Sequence, residues 1–153
     1  MEVKAISARP ESIEGRTVTG LAAIFGNVDS GGDRLHEGSF RKTLKENARR
    51  IRHLWQHDMS QPPIASIDEI KEVGRSQIPA WVKEENPDVL GGLLVKRTYL
   101  ETPRGTEVLE GIRAGAINEM SFGYEAVKHD YEILPDTKQT IRNLRAVRLF
   151  DTS

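Results

Sequence analysis

The stretch Glu119–Lys128, EMSFGYEAVK, decides the fold class, because apolar side chains alternate in it with small or polar ones. Successive side chains of an extended chain point to opposite faces, so every second residue shares a face. One face carries Met120, Phe122 and Tyr124, and the other carries Ser121, Gly123 and Glu125. The pattern therefore predicts a half-buried strand. Ser121 lies on its open face beside Gly123, where a substrate backbone can approach the hydroxyl.

A helix precedes this strand and further strand sequence follows it. Thr102 and Pro103 predict the helix start, since a hydroxyl caps the first turn and proline is tolerated at the first helical position. Gly115 suits the left-handed position at the helix end. Residues 139–150 are rich in apolar and β-branched residues and predict one or two strands, the last near residues 146–151.

The remaining patterns predict more strands and one more helix. The strands are expected at residues 2–8, 16–25, 51–57, 64–73 and 89–100. Residues 26–33 form a loop, and Ser39 is expected to cap a helix that runs to about Arg50. The class is α+β but mainly β: a mostly antiparallel, closed or curled β-barrel with outer helices, in one domain over residues 1–153.

The composition excludes several classes of protein. The 153 residues are 37% apolar and 29% charged, with a formal net charge of -1, so we expect no nucleic-acid partner. No apolar run reaches the ~18–20 residues of a membrane helix, and the first residues lack the apolar core of a signal peptide. The absence of cysteine excludes disulfides, thiolate zinc sites and a cysteine nucleophile. A soluble cytosolic protein fits these features.

Two histidines stand four residues apart in IRHLWQHDMS, residues 51–60. This spacing puts both rings on one face of either a helix or a strand, so a metal pair, one catalytic histidine and simple packing all stay open. Zinc needs three or four ligands, and the helical metalloprotease pattern requires glutamate where Leu54 stands. His57, at the expected exit of a strand, is better placed to reach a cleft. His53 lines the same cleft or packs beside it.

A second candidate metal site contains Asp29, Asp33 and Glu37. Spaced carboxylates in a glycine-bearing loop can hold calcium, but the twelfth position of an EF-hand loop counted from Asp29 is Phe40 instead of glutamate. We interpret the segment as a tight turn. The sequence predicts no metal and no cofactor.

Three segments together carry a resemblance to a known family. They are GLAAIFGNVDSGGDRLHEGSFRKTL at residues 20–44, LWQHD at residues 54–58 and RAGAINEMSFGY at residues 113–124. In combination they resemble the HK97-type prohead proteases of tailed bacteriophages, which are serine endopeptidases with a fold similar to that of herpesvirus assemblin. The resemblance covers residues 19–124 and is weaker at residues 149–153. It implies a herpesvirus-protease-like fold.

The resemblance also implies a set of catalytic residues. The family's catalytic histidine lies in a WxHD motif, which gives His57, and its nucleophile lies in an SxG motif, which gives Ser121. The third member is an acidic residue in a terminal L-x-E-x-S segment, where this chain has Asp151. His129, by analogy with the second histidine of the herpesvirus enzymes, and Glu125, on the strand face of Ser121, are alternatives.

The implied function is cleavage of scaffold segments, the major capsid protein and the protease itself inside the immature capsid, in the host cytoplasm. The herpesvirus analogy suggests a homodimer, and family members usually continue into a C-terminal tail that residues 1–153 lack. Backbone amides, helped by Arg145 or Arg148, would bind the oxyanion, and an extended substrate would add to a sheet edge. Two other hypotheses are a non-enzymatic capsid-assembly or scaffold-like protein, in which Ser121 and His57 lie too far apart to bond, and a zinc hydrolase.

Overall fold

The computed structural model describes residues 1–7 and 9–153, and its main feature is one curled, half-barrel sheet. The strands are β1 (Glu2–Ser7), β2 (Ser12–Glu14), β3 (Thr17–Phe25), β4 (Asp33–Leu35), β5 (Arg52–His53), β6 (Ala65–Gly74), β7 (Gly91–Tyr99), β8 (Glu119–Ile133) and β9 (Thr140–Thr152). The α-helices are α1 (Arg41–Asn47), α2 (Ala80–Glu85) and α3 (Pro103–Arg113). The prediction of a mainly β protein is confirmed. Within the described residues, no helix is both long and apolar enough to span a membrane.

The strands follow the order β1-β8-β9-β5-β6-β7-β3-β2, and β4 also pairs with β9. The expected antiparallel character is not confirmed, because β4 and β5 both run parallel to β9 and the sheet is therefore mixed. The length of β9 explains this arrangement. One edge of its 13 residues pairs with β8, and the other edge receives β4 near Asn143 and β5 near Asp151.

The largest cluster of the hydrophobic core is rich in aromatic rings. The ring centroids of Phe40 and Phe122 are 5.4 Å apart, and those of Phe122 and Tyr124 are 5.2 Å apart, distances typical of favourable aromatic pairs. Met120, Phe122 and Tyr124 are all buried, whereas Ser121 is half-buried and Glu125 is exposed. The predicted alternation of β8 is confirmed.

Two predicted elements differ from the structure at their ends. The strand expected to reach His57 stops at His53, because Gln56 and His57 adopt φ angles of 50° and 56° that no strand allows. The helix expected to be capped by Ser39 begins at Arg41, and the Ser39 hydroxyl instead lies within hydrogen-bond distance of the backbone oxygens of His36 and Leu144. Helix α1 ends at Asn47 and continues as a 3₁₀ turn, Ala48–Arg50.

The predicted boundaries of the helix before β8 agree with the structure. The Thr102 hydroxyl accepts a hydrogen bond from the Gly105 amide at 3.0 Å, and Gly115 has a φ of 74°. Strand β8 runs five residues beyond its predicted end at Lys128, and the sequence after it forms the single strand β9. Helix α2 was missed, because its six residues are too few for a clear apolar period.

Candidate active site

Ser121, His57 and Asp151 come together at the end of the sheet where β5, β8 and β9 meet. His57 Nε2 lies 2.7 Å from Ser121 Oγ, and His57 Nδ1 lies 2.5 Å from Asp151 Oδ2. Strand register produces this meeting: Gly123 of β8 lies opposite Asp151, and Arg52 of β5 lies opposite the same residue on its other side. The non-enzymatic hypothesis expects Ser121 and His57 to be too far apart for a hydrogen bond, and the distance is 2.7 Å.

The backbone of Ser121 is held from both sides. Its partner in β1 is Ala5. Its amide donates to the Ser153 oxygen at 3.1 Å, and the Ser153 amide donates to the Ser121 oxygen at 2.8 Å. Because both neighbours fix the main chain, the hydroxyl has a defined position in front of the His57 ring.

His57 occupies a tight turn with a left-handed backbone. Both Gln56 and His57 have positive φ angles, which cost non-glycine residues roughly 1–2 kcal/mol each. The turn is held by a hydrogen bond from the Asp58 amide to the Trp55 oxygen at 3.1 Å and by one from the His57 amide to Ser153 Oγ at 3.3 Å. Backbone strain of this kind clusters at functional sites, where the surrounding structure sustains it.

Asp151 is fully buried beside the histidine. Burial raises the pKa of its carboxyl. Hydrogen bonds from His57 and from the Gly123 amide favour the ionised form and partly offset the increase in pKa. An ionised carboxylate can only accept hydrogen bonds, so His57 Nδ1 carries the proton and Nε2 is free to accept one from Ser121. Gly123 makes room for the carboxylate, since a Cβ at this position would overlap Asp151 Oδ1 and would lie 2.7 Å from the Met1 sulfur.

His53 packs beside this group and does not share a ligand with His57. It is 2% exposed, and its Nδ1 and Nε2 lie 2.7 Å from Thr152 Oγ1 and 2.9 Å from the Tyr99 hydroxyl. Burial and the nearby positive charge of Arg97 lower the pKa of His53 well below its usual value, so the ring is neutral. Among residues 1–7 and 9–153 no cluster of three metal-ligating side chains occurs.

The hydrogen bonds around His53 form a series that begins at Arg97 and ends at Thr152. The Arg97 guanidinium only donates, and its Nε donates to the Tyr99 hydroxyl at 3.0 Å. That hydroxyl can then donate its own proton to His53 Nε2, and in this tautomer the Nδ1–H of His53 donates to Thr152. This series of hydrogen bonds ends at Thr152, the residue after Asp151, and so supports the end of β9 that contains Asp151.

The alternative third members have other partners. Glu125 forms an ion pair with Arg148 at 3.1 Å, and the exposed His129 stacks edge-on against Tyr131. Arg145, the other candidate for oxyanion binding, pairs with Asp130 at 2.9 Å. None of these side chains lines the cleft at Ser121.

Two of the three carboxylates weighed as calcium ligands, Asp29 and Asp33, have protein partners. Asp29 and Asp33 accept from Lys4 at 2.5 and 2.6 Å, and Asp33 also pairs with Arg142 at 2.9 Å. Asp29 Oδ1 accepts from the Gly31 amide at 2.9 Å, which is the tight-turn geometry expected from the sequence.

A cleft of about 480 Å³ opens in front of Ser121 and His57. Helix α3 forms one wall with Val108 and Ile112. A larger cavity of about 850 Å³ lies between α1 and residues 146–150 of β9, and among the described residues no serine or histidine lines it. The chemistry of the lining therefore selects the smaller cleft as the candidate site.

The cleft also contains a residue that sequence reasoning missed. Arg97 lines it and is only 6% exposed. The alternation of β7 could have identified it. Every second residue of a strand shares a face, so Arg97 lies on the same face as the buried Leu93, Val95 and Tyr99. A charged residue on the buried face of a strand is uncommon and indicates a specific role.

Comparison with known proteins identifies the family to which the chain belongs. The chain matches the family described as caudovirus prohead serine protease over residues 3–78 and 83–153, and it therefore belongs to that family. It is 26% identical over 130 residues to the prohead protease of Enterobacteria phage HK97, an alignment that covers 84% of this chain and 50% of that protein. The chain thus spans about half the length of this curated relative. No solved structure matches it, so the expected likeness to herpesvirus assemblin stays a prediction.

Proposed function

We propose that this member of the caudovirus prohead serine protease family is a serine endopeptidase in which Ser121 is the nucleophile, His57 the general base and Asp151 the group that orients His57. The continuous series of hydrogen bonds from Ser121 through His57 to Asp151 carries the proposal. Serine is a weak nucleophile at neutral pH and needs a base within hydrogen-bond distance, which in turn needs a third group to hold its tautomer.

The proposed reaction has two halves. His57 Nε2 takes the Ser121 proton as Oγ attacks the scissile carbonyl, and the imidazolium is stabilised by Asp151. His57 then gives the proton to the leaving amine, which leaves an acyl ester on Ser121. A water molecule, deprotonated by His57, attacks the ester and releases the second product with Ser121 restored.

The substrate chain is proposed to bind in extended form beside β1. This strand lies at one end of the sheet order and has Ala5 opposite Ser121, and Val3 and Ala5 both line the cleft. An unpaired strand edge next to the nucleophile can align a flexible peptide through main-chain hydrogen bonds.

The proposed substrates are the major capsid protein, scaffold segments and the protease itself, cut inside the immature capsid of the infected host. The HK97 relative is a prohead protease, which supports this setting. A homodimer is proposed only by analogy with the herpesvirus enzymes.

Co-expression of the chain with the major capsid protein of its own phage tests the function. The native chain should shorten the capsid protein on a denaturing gel, and Ser121→Ala should abolish this processing while remaining folded. Ser30→Ala, which changes an exposed serine in the loop before β4, serves as the control and should process normally. Processing that persists in Ser121→Ala contradicts the assignment.

A further inference from the structure

Arg97 is a buried cation without a counter-ion. Arg97 is only 6% exposed, and its Nη1 atom has no hydrogen-bond partner. Its contacts are the Nε hydrogen bond to the Tyr99 hydroxyl and the face of the Tyr99 ring, whose centroid lies 5.7 Å from the guanidinium carbon. In the described part of the chain no carboxylate lies within ion-pair distance of Arg97.

Such a group destabilises the unliganded protein. Removing a charge from water costs several kcal/mol even after relaxation, and a buried donor without an acceptor adds about 1–3 kcal/mol. Fold stability does not explain Arg97, because Tyr99 can donate to His53 without it. A ligand that supplies an anion would satisfy both the charge and the free Nη1.

The surroundings of Arg97 define what this ligand would be. Arg97 lines the same cleft as Ser121 and His57, and Glu119, the acidic side chain among the described lining residues, lies at the exposed start of β8. The rest of the cleft is largely apolar. Its walls include Val3, Ile64, Val108, Ile112, Ile117 and Met120.

We propose that Arg97 forms a subsite for an acidic side chain of the substrate peptide, close to the bond that Ser121 cuts. This inference rests on the proposed endopeptidase function. Guanidinium binds carboxylate with charge-assisted, directional hydrogen bonds, and the apolar walls suit the methylene groups of glutamate. The Nε hydrogen bond to Tyr99 fixes the guanidinium before the substrate arrives, which lowers the entropy cost of binding.

Cleavage of a proteome-derived peptide library tests the subsite without a known substrate. The native chain should select Glu or Asp at one fixed position relative to the cut bond. In a synthetic peptide chosen from the library, Glu→Gln at that position should lower kcat/KM at least tenfold for the native chain and less than twofold for Arg97→Met. Arg97→Lys keeps a cation and should retain part of the preference. Equal cleavage of the Glu and Gln peptides by the native chain overturns the proposal.

Thermal unfolding separates this role from a structural one. Arg97→Met replaces an unpaired buried charge with an apolar chain of similar length, so its Tm should equal or exceed that of the native chain. A lowered Tm, together with equally slow cleavage of both peptides, assigns Arg97 to the fold and overturns the subsite.

A binding measurement keeps the subsite distinct from the proposed chemistry. The Arg97 Nε–H resonance of the Ser121→Ala chain should shift on titration with N-acetyl-glutamate amide and should not shift with N-acetyl-glutamine amide. This result would support the subsite even if the native chain cleaved no peptide, in which case the endopeptidase proposal alone would fail. Identical responses to the two amides overturn the subsite.

Discussion

His53 and His57 stand four residues apart in one motif and have opposite surroundings in the folded chain. His53 is buried, with both ring nitrogens bonded to Thr152 and Tyr99, whereas His57 reaches the cleft and bonds Ser121. The spacing could not separate them, because it allows both to share a face. The difference arises at Gln56 and His57, whose left-handed backbone turns the second ring away from the strand.

Asp151→Asn tests the role proposed for the buried carboxylate. The amide can donate to His57 Nδ1 and so favours the wrong tautomer, and by the behaviour of other serine proteases kcat should fall about 10⁴-fold. The measurement is steady-state cleavage of a peptide selected from the library, with circular dichroism to establish that the fold is kept. A loss of less than tenfold would assign the orienting role to another group.

His53→Gln tests the neutral state of the buried ring. The pKa of His53 is about 6.5 in the unfolded chain and much lower in the folded chain. Below about pH 6.5 the unfolded state therefore binds a proton that the folded state does not bind. The unfolding free energy should therefore fall with decreasing pH, and His53 should contribute up to about 1.4 kcal/mol per pH unit to this slope.

Urea unfolding between pH 7.5 and 5 measures the slope. In His53→Gln the decline should be smaller, since the amide cannot take up the proton. Equal slopes in the two chains would contradict a neutral, buried His53.

At the scale of single elements, β8 and β9 determine the geometry of the site, and the sequence predicted β8 better than its neighbours. Alternation from Met120 to Tyr124 identified the strand and the open face of Ser121 because one side is buried and the other is not. No comparable pattern marks β5, whose two residues are followed at once by a turn. Helix α2 has only six residues, which are too few to show a helical period of apolar side chains.

The strand pattern singled out Ser121, and the position after a strand singled out His57, before the family motifs implied their catalytic roles. Asp151 was implied only by the resemblance, from its place in a terminal segment. Arg97 has no motif, and only the parity of β7 marks it, since Lys96 beside it is exposed and equally charged. Which of two adjacent cations is buried depends on which face of β7 is covered, and this is a property of the assembled sheet.

Gly123→Ala tests the contact between β8 and Asp151. A Cβ here would overlap Asp151 Oδ1 and would lie 2.7 Å from the Met1 sulfur, so the carboxylate has to move away from His57. We expect activity to fall at least tenfold and the unfolding free energy to fall by about 1–3 kcal/mol, as for other overpacked sites. Peptide cleavage and urea unfolding measure the two effects.

Gly74→Ala provides the matched control at the end of β6. A Cβ there meets no atom within 4 Å, and its backbone is extended. This variant should keep full activity and change the unfolding free energy by less than about 0.5 kcal/mol. Equal effects of the two substitutions would show that Gly123 makes no special contact with Asp151.

At the scale of the whole molecule, ion pairs connect parts of the sheet that lie far apart in the chain. Lys4 of β1 contacts Asp29 and Asp33, and Asp33 also contacts Arg142 of β9. These pairs join the first strand to the last, and β1 in turn pairs with β8 at Ser121. The sequence suggested a calcium loop or a tight turn here, and could not predict pairing between residues more than 100 positions apart.

Asp33→Asn tests this network. Burial alone would raise the pKa of Asp33, but hydrogen bonds from Arg142 and Lys4 lower it below its ordinary value. Its contribution to stability is therefore present above the unfolded pKa of about 3.9 and is lost as pH falls through the lower folded pKa.

At pH 7 the substitution should lower the unfolding free energy by about 1–3 kcal/mol, and the difference should shrink below about pH 4. Asp136→Asn, at an exposed position in the turn between β8 and β9, is the control and should change little. A difference between Asp33→Asn and the native chain that is independent of pH would contradict the ion-pair explanation.

The most direct test of the central claim, that His57 activates Ser121 as a nucleophile, is covalent labelling with diisopropyl fluorophosphate followed by intact-mass and peptide mass spectrometry. We predict one adduct per chain, located on Ser121, that forms in the native chain and in Ser30→Ala and is lost in His57→Ala. An adduct on another residue, or labelling of Ser121 at an unchanged rate without His57, would contradict it.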